Sequence, residues 1–265
     1  MKPHAFGVDA VPILGVPVHP VSLTRALAIV NGAIERRERL RIGVVNAAKI
    51  VGMRADPGLR EDVSSSDLVL ADGMAVVWAG RMLGHRVRER VTGIDLMIGM
   101  LREGTERGYR VYCLGATEEV LAAVCRRIAV EYPGTVIAGS HHGYFSQVDE
   151  PALADRIASS RPDILLVAMT SPKKEKFLAR WGAHIGAPVC HGVGGSFDVL
   201  AGKVRRAPER WQRLGLEWLY RLKQEPGRLW RRYLYTNTTF CVLLLRECWR
   251  RLALGLTSRR ARPDP

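Results

Sequence analysis

The 265-residue chain has five cysteines, and no two of them form a CxxC pair. Cys113, Cys125, Cys190, Cys241 and Cys248 are scattered and odd in number. This argues against a zinc site or a disulfide framework and points to free thiols in a reducing compartment. No apolar run approaches the roughly 18 residues that a spanning helix needs. "FCVLLL" (240–245) is far too short. The N-terminus lacks a basic region followed by an apolar run, so no signal peptide is expected. No GxGxxG follows any candidate strand. Neither "CLGATEE" nor "GVGGSFD" fits it, and a dinucleotide fingerprint is therefore absent. There is no internal repeat and no low-complexity tract. These absences together imply a cytoplasmic protein that can touch a membrane without crossing it.

What is present is positive charge, unevenly placed. The net charge is +14. Residues 203–265 hold 16 Lys and Arg against 5 Asp and Glu, so that segment carries +11 and the rest of the chain only +3. An excess of this size calls for an acidic partner, and it belongs to the tail rather than the body. Apolar content of 47% is enough for a real core.

Short apolar runs alternate with helical patterns from about residue 42 to 200. "RIGVVN", "DLVLAD", "RVYCLG", "TVIAGS", "DILLVAM" and "APVCHGV" read as strands. "TEEVLAAVCRRIAVEYPG" reads as a helix with a Thr N-cap, an acidic first turn and a Pro-Gly stop. Strand and helix in alternation give an α/β fold, with a mostly parallel sheet covered by helices on both faces. Ahead of it, "VPILGVPVHPVS" reads as a small edge hairpin, followed by a helix ending in "ERRERLR". Past Lys203 the strands stop and arginine-rich amphipathic segments take over. The chain divides into a body, 1–203, and a helical basic C-terminal appendage, 204–265. Its last residues, "TSRRARPDP", are expected to be disordered.

Ligands of open α/β sheets lie beyond the carboxyl ends of the strands. Asn46, Asp72-Gly73, Gly115, "TSPKKEK" and "GVGGSFD" fall at those ends. Asp72 is a carboxylate there, although on its own it reads as a helix cap. "GVGGSFD", with Gly194 and Gly195, suits either a tight turn or a backbone cradle for phosphate. "SPKKEK" starts a helix with proline at its first position. Its Lys173, Lys174 and Glu175 reach a ligand or form a solvated face. His141-His142 lack the spaced partners of a metal site.

In the tail, Trp211, Leu214, Trp218 and Leu222 are spaced to share one helical face. Glu225-Pro226 breaks that helix and starts another with Leu229, Trp230, Tyr233 and Leu234. Arg221, Arg228, Arg231 and Arg232 accompany this surface. Arginine with tryptophan on an amphipathic helix suits a membrane interface. No recognised nucleic-acid motif accompanies the charge.

The segments "VVNAAKIV", "DLVLADGMAVVWAGRMLG", "ERVTGIDL", "HHGYF", "SPKKEKF", "GVGGSFDVLAGKVRRAP" and "GLEWLYRLKQEPGRLWRRYL" resemble the WecG/TagA/CpsF family of bacterial glycosyltransferases, over about residues 12–235. The resemblance implies a Rossmann-like catalytic domain with a helical appendage. It implies inverting, metal-independent sugar transfer, with no cofactor, from a UDP-sugar to a saccharide on a polyprenyl diphosphate. The setting is cell-surface polysaccharide assembly on the inner face of the cytoplasmic membrane. The donor sugar is N-acetylmannosamine, its uronic acid or glucose. Carried over by motif, Asp72 is the general base, with Asn46 beside it and Arg90 from the "ERVTG" segment. Tyr144 and Asp198 map to uridine binding, and Arg221, Arg228 and Arg231 to the appendage arginines. Lys174, where a glutamine is usual, and Glu175 join Gly194 and Gly195 as substrate-binding candidates. Val44 stands where a threonine is common. The partners implied are the UDP-sugar, the lipid-linked saccharide and an anionic membrane surface, but not nucleic acid; a homo-oligomer is left open. A non-catalytic nucleotide-sugar-binding protein is the alternative.

Overall fold

The computed structural model describes residues 5–260; the side chains of Ala5, Arg213, Arg228 and residues 255–260 lie outside the description. Strands β1 (Val11–Ile13) and β2 (Val16–Val18) form an antiparallel hairpin. Helix α1 (Leu23–Glu35) follows, capped by the Ser22 hydroxyl, which accepts from Arg25 N. Six strands then make one parallel sheet: β3 (Leu40–Val45), β4 (Leu68–Ala71), β5 (Arg110–Gly115), β6 (Val136–His141), β7 (Ile164–Ala168) and β8 (Val189–Gly192). Their spatial order is β4-β3-β8-β7-β5-β6. Helices α2 (Ala47–Ala55) and α3 (Pro57–Ser64) join β3 to β4, and α4 (Met74–Met82) and α5 (Gly93–Arg107) join β4 to β5. Single helices α6 (Glu118–Glu131), α7 (Glu150–Ser159) and α8 (Lys173–Ile185) make the next three connections. After β8 come α9 (Ser196–Leu200), α10 (Glu209–Arg213), α11 (Glu217–Gln224) and α12 (Pro226–Arg260).

The alternation of side chains along each strand builds three clusters. Val111, Cys113, Ile164, Leu166, Leu68 and Leu70 face one way, onto α1, α5, α6 and α9. Val45, Val69 and Ala71 face the other way, onto the hairpin, α2, α3, α4 and α12. On that same side Tyr112, Leu114, Leu165 and Val167 pack on α7 and α8. The six strands expected from sequence are all present, and α6 starts at its Thr117 cap.

Four local expectations are corrected. Helix α1 stops at Glu35, because Arg37 turns to a φ of 54° and Leu40 is already paired in β3. Pro172 sits one position earlier than expected, at the N-cap of α8. Trp211, Leu214, Trp218 and Leu222 do not share one continuous helix. Gly215, at φ +72°, turns the chain between α10 and α11, and a Cβ there would lie 2.7 Å from Met74 Cβ. Helix α12 continues to Arg260, so residues 257–260 are helical where disorder was expected, and 261–265 lie outside the described residues.

The segment "FCVLLL" falls inside α12. Phe240 and Leu244 are buried against α2 and its neighbours, whereas Val242 and Leu245 face outward. Arg251 Nη1 donates to Leu83 O at 2.6 Å, fixing the far end of the contact. The long helix therefore shares a core with the sheet. Truncating a buried phenylalanine leaves a cavity, so Phe240→Ala should lower stability by about 3 kcal/mol or more. A fall of the urea midpoint at unchanged slope would show this; an unchanged midpoint would mean that α12 adds nothing to the fold.

Candidate active site

The sheet register creates the site. Val45 of β3 lies opposite Ala71 of β4, so the next residues, Asn46 and Asp72, leave the sheet side by side. Asp72 N donates to Val45 O at 2.8 Å, extending the ladder by one bond. Asn46 caps α2, its Oδ1 accepting from Lys49 N at 3.0 Å, and its Nδ2 is 3.4 Å from Asp72 Oδ2. The other Asp72 oxygen accepts from Gly93 N, the first residue of α5, at 3.0 Å. Asp72 is not a helix cap, since Gly73 takes that position on α4 without any side-chain bond. Behind Gly93, the ring of fully buried His191 meets Gly93 O through Nε2 at 3.1 Å. A carbonyl only accepts, so Nε2 carries the proton. Burial pushes the His191 pKa down to about 4 and keeps the ring neutral.

β3 and β8 are neighbours, and the helices that follow them, α2 and α9, lie on opposite faces of the sheet. This is a topological switch point, where open α/β sheets bind ligands. Asp72 is deep in the molecule but keeps a partly accessible edge there. Burial raises its pKa above the usual carboxylate value; the Gly93 amide, Lys49, Arg221 and Asn46 offset this only in part.

Next to this pair lies a nearly closed ionic cluster. Lys49 Nζ and Lys174 Nζ stand 2.8 and 2.7 Å from Glu175 Oε1. Burial opposes ionisation of Glu175, but the two ammonium groups outweigh it and hold its pKa at about 2. Burial and the charge of Lys49 lower the pKa of Lys174. Lys173 donates to Gly143 O and Phe145 O at 3.0 and 3.1 Å, over the Phe145 ring. Lys173, Lys174 and Glu175 are therefore engaged inside the protein and do not form a solvated face.

The glycine segment is a turn whose amides are largely engaged. Val193 N and Gly194 N both donate to Val167 O, and Ser196 N donates to Val193 O. Gly194 takes a φ of +54° and Gly195 precedes the short α9, which carries Asp198. Tyr144 is exposed on the loop after β6, at the sheet edge opposite β4. Val44 packs partly buried against the first core cluster.

The appendage supplies the remaining charge. Arg90 Nη1 forms an ion pair with Glu217 Oε2 of α11. Arg206 Nη2 binds Asp95 Oδ1 at 2.6 Å, and its Nε lies 3.6 Å from Glu217 Oε1. A cleft of about 510 Å³ opens beside them, lined by Arg88, Arg90, Asp95, Arg206, Gln212 and Met74. Arg221, one turn beyond Glu217, is exposed, and its positive charge acts to lower the Asp72 pKa. Arg231 is exposed beside the Trp230 ring, and the Arg228 side chain lies outside the described residues. The structure thus brings Asp72, Asn46, Lys174, Glu175 and Arg221 into one neighbourhood, with Arg90 tied to the same helix as Arg221. Among the described residues, no group of three or more His, Cys, Asp or Glu is placed to hold a metal ion.

Sequence reasoning missed Lys49, Gly93, His191, Arg206 and Glu217. Lys49 had a signal, three residues after the Asn46 cap. So did Gly93, inside the capping pair in which Asp95 N donates to Thr92 Oγ1 at 3.1 Å. His191 and Glu217 had none, because their partners lie about a hundred residues away.

The family model for the glycosyl transferase WecG/TagA/CpsF family matches residues 11–254. The chain is 37% identical over 193 residues to the N-acetylglucosaminyldiphosphoundecaprenol N-acetyl-beta-D-mannosaminyltransferase of Bacillus spizizenii, a match covering 72% of this chain and 74% of that protein. It is 38% identical over 172 residues to the protein of the same name from Bacillus subtilis, covering 65% of this chain and 66% of that one. The partly accessible carboxylate at the switch point and the match along almost the whole chain agree: the protein belongs to the WecG/TagA/CpsF family and is a glycosyltransferase.

Proposed function

We propose that the protein transfers N-acetylmannosamine from its uridine diphosphate to a saccharide carried on a polyprenyl diphosphate, in one inverting step, during assembly of a cell-surface polysaccharide. The names of the two relatives support the sugar, the β linkage and the acceptor. Asp72 carries the mechanism. An acceptor hydroxyl attacks C1 of the sugar from the face opposite UDP. The new C1–O bond forms as the bond to the diphosphate breaks, and Asp72 takes the hydroxyl proton. A carboxylate with a raised pKa is the better proton acceptor, and burial provides this. Asn46 and the Gly93 amide fix its orientation.

UDP leaves with growing negative charge, which positive groups can stabilise without a metal. Arg221, Arg90 and Arg231 are assigned to it. Lys174 is held inside the protein by Glu175, which it shares with Lys49, and the donor sugar is assigned from the relatives' names rather than from this lysine. Uridine is assigned to the carboxyl ends of the central strands, with Asp198 and Gly194–Gly195 nearest and Tyr144 closing from the exposed loop.

The acceptor is lipid-bound, and α12 offers a surface for it. Leu234, Val242, Leu245, Trp249 and Leu252 are exposed along this helix among Arg231, Arg232, Arg246 and Arg250. Among the described residues no helix is long and apolar enough to cross a membrane. An apolar stripe with arginines at its sides suits peripheral attachment, and each basic residue near an anionic leaflet contributes about 1 kcal/mol.

Asp72→Asn should lower kcat by roughly 10²–10⁴-fold while UDP binding is retained. Unaltered turnover would remove Asp72 from the reaction. The wild-type rate should fall on the acid side at a higher pH than an ordinary aspartate would give, because the base must be ionised. Stability should move the opposite way. A carboxyl whose pKa is raised by folding favours the folded state below its unfolded value and loses that contribution as pH rises through the folded value. Asp72→Asn should therefore raise Tm at pH 7, and the gain should vanish below about pH 4.

Cosedimentation with phosphatidylglycerol vesicles tests the surface. Binding should weaken with salt and with Trp249→Ala, whereas equal binding to uncharged vesicles would contradict an electrostatic component.

A further inference from the structure

We infer that Glu217 is a positioning residue for the transfer reaction: by pairing with Arg90 of the body, and with Arg206, which Asp95 of the body holds, it fixes α11 so that Arg221 is presented to Asp72 and the departing diphosphate. The inference rests on Asp72 being the base.

Three observations converge. The start of α11 is pressed onto the body by Gly215, whose position leaves no room for a side chain against Met74. Met74 is the first residue of α4 and only two residues past Asp72, so this turn packs beside the start of the helix that follows Asp72. Two residues on, Glu217 bridges Arg90 and Arg206, with side chains only 23%, 14% and 25% exposed. Arg206 is held in turn by Asp95 of α5, the helix whose first amide binds Asp72. Four residues further along α11 comes Arg221. Residues at i and i+4 share one helix face, so the face docked by Glu217 is the face that carries Arg221. The contact is ionic and directional, and without Glu217 Arg90 would lose its carboxylate partner while Arg206 kept Asp95.

This makes the appendage part of the catalytic geometry and gives Arg90 a partner in the free enzyme. The charged groups that act on Asp72 are Lys49 of α2, Lys174 of α8 and Arg221 of α11, with Glu175 shared between the two lysines and offsetting one of their two charges. Of these cations, Arg221 is on the element that Glu217 docks.

The test is the pH dependence of kcat/KM for UDP release in Glu217→Ala, Arg221→Ala and the double variant, with Asp72→Asn alongside. Glu217→Ala should lose roughly 10- to 100-fold, as expected for a misplaced catalytic group. Its acid limb should move to higher pH, because withdrawing Arg221 removes a charge that favours ionised Asp72. Arg221→Ala should move the limb by a similar amount, and the double variant should move it no further. A structural role alone would lower activity without moving the limb. Should Glu217→Ala fail to fold, Glu217→Gln keeps the shape, removes the charge and must show the same displacement. An unmoved acid limb in Glu217→Ala or Glu217→Gln, or losses that multiply in the double variant, would overturn the inference alone. Turnover retained in Asp72→Asn would overturn both it and the assignment of the base.

Discussion

A carboxylate withdrawn from water at the end of β4 is the constraint around which the rest is arranged. Burial of Asp72 opposes its ionisation, and the fold answers with one backbone amide, one side-chain amide and nearby cations. Each of these depends on a larger element. The Gly93 amide is aimed by the start of α5, and its carbonyl is held by the neutral ring of His191 on β8. Asn46 is aimed by capping α2. The register of β3 against β4 puts the two side chains next to each other. Gly73 takes over the cap of α4, which leaves the Asp72 oxygens for other work.

The handling of positive charge follows the same logic. Close to Asp72, Lys49 and Lys174 are both bound to Glu175, so the inner cluster is internally paired and carries one net positive charge. The less buried cations, Arg221 and Arg231, come from the appendage. Helix α12 is joined to the core through Phe240 and Leu244, and α11 is joined to the body through Glu217. The neighbourhood of Asp72 is thus assembled from two parts, body and appendage.

Much of this was legible in the sequence. The six strands of the sheet are short apolar runs bounded by turn residues, and their period is hard to mistake. Asp72 and Asn46 were expected at strand ends on the ligand side of the sheet, and the register places them there side by side, while their roles were carried over from the family resemblance. Other features were not legible. The identity of Asp72 as something other than a helix cap depends on where α5 begins, twenty-one residues later. Lys173 and Lys174 looked like a solvated face because nothing local shows that the Gly143–Phe145 loop receives Lys173 or that Lys49, 126 residues from Glu175, joins Lys174 on it. The single helical face expected of Trp211 to Leu222 failed at Gly215, where close approach to Met74 overrides the periodicity. In each case a contact distant in sequence decided the outcome, and a local pattern carries no record of such a contact.

The most direct measurement is UDP release from UDP-N-acetylmannosamine, with and without a short-chain lipid diphosphate bearing N-acetylglucosamine. Release that requires the acceptor, with one sugar transferred per UDP formed, is the predicted result. UDP formed at the same rate without acceptor, or none formed while the nucleotide sugar still binds, would contradict a displacement driven by Asp72 at the switch point.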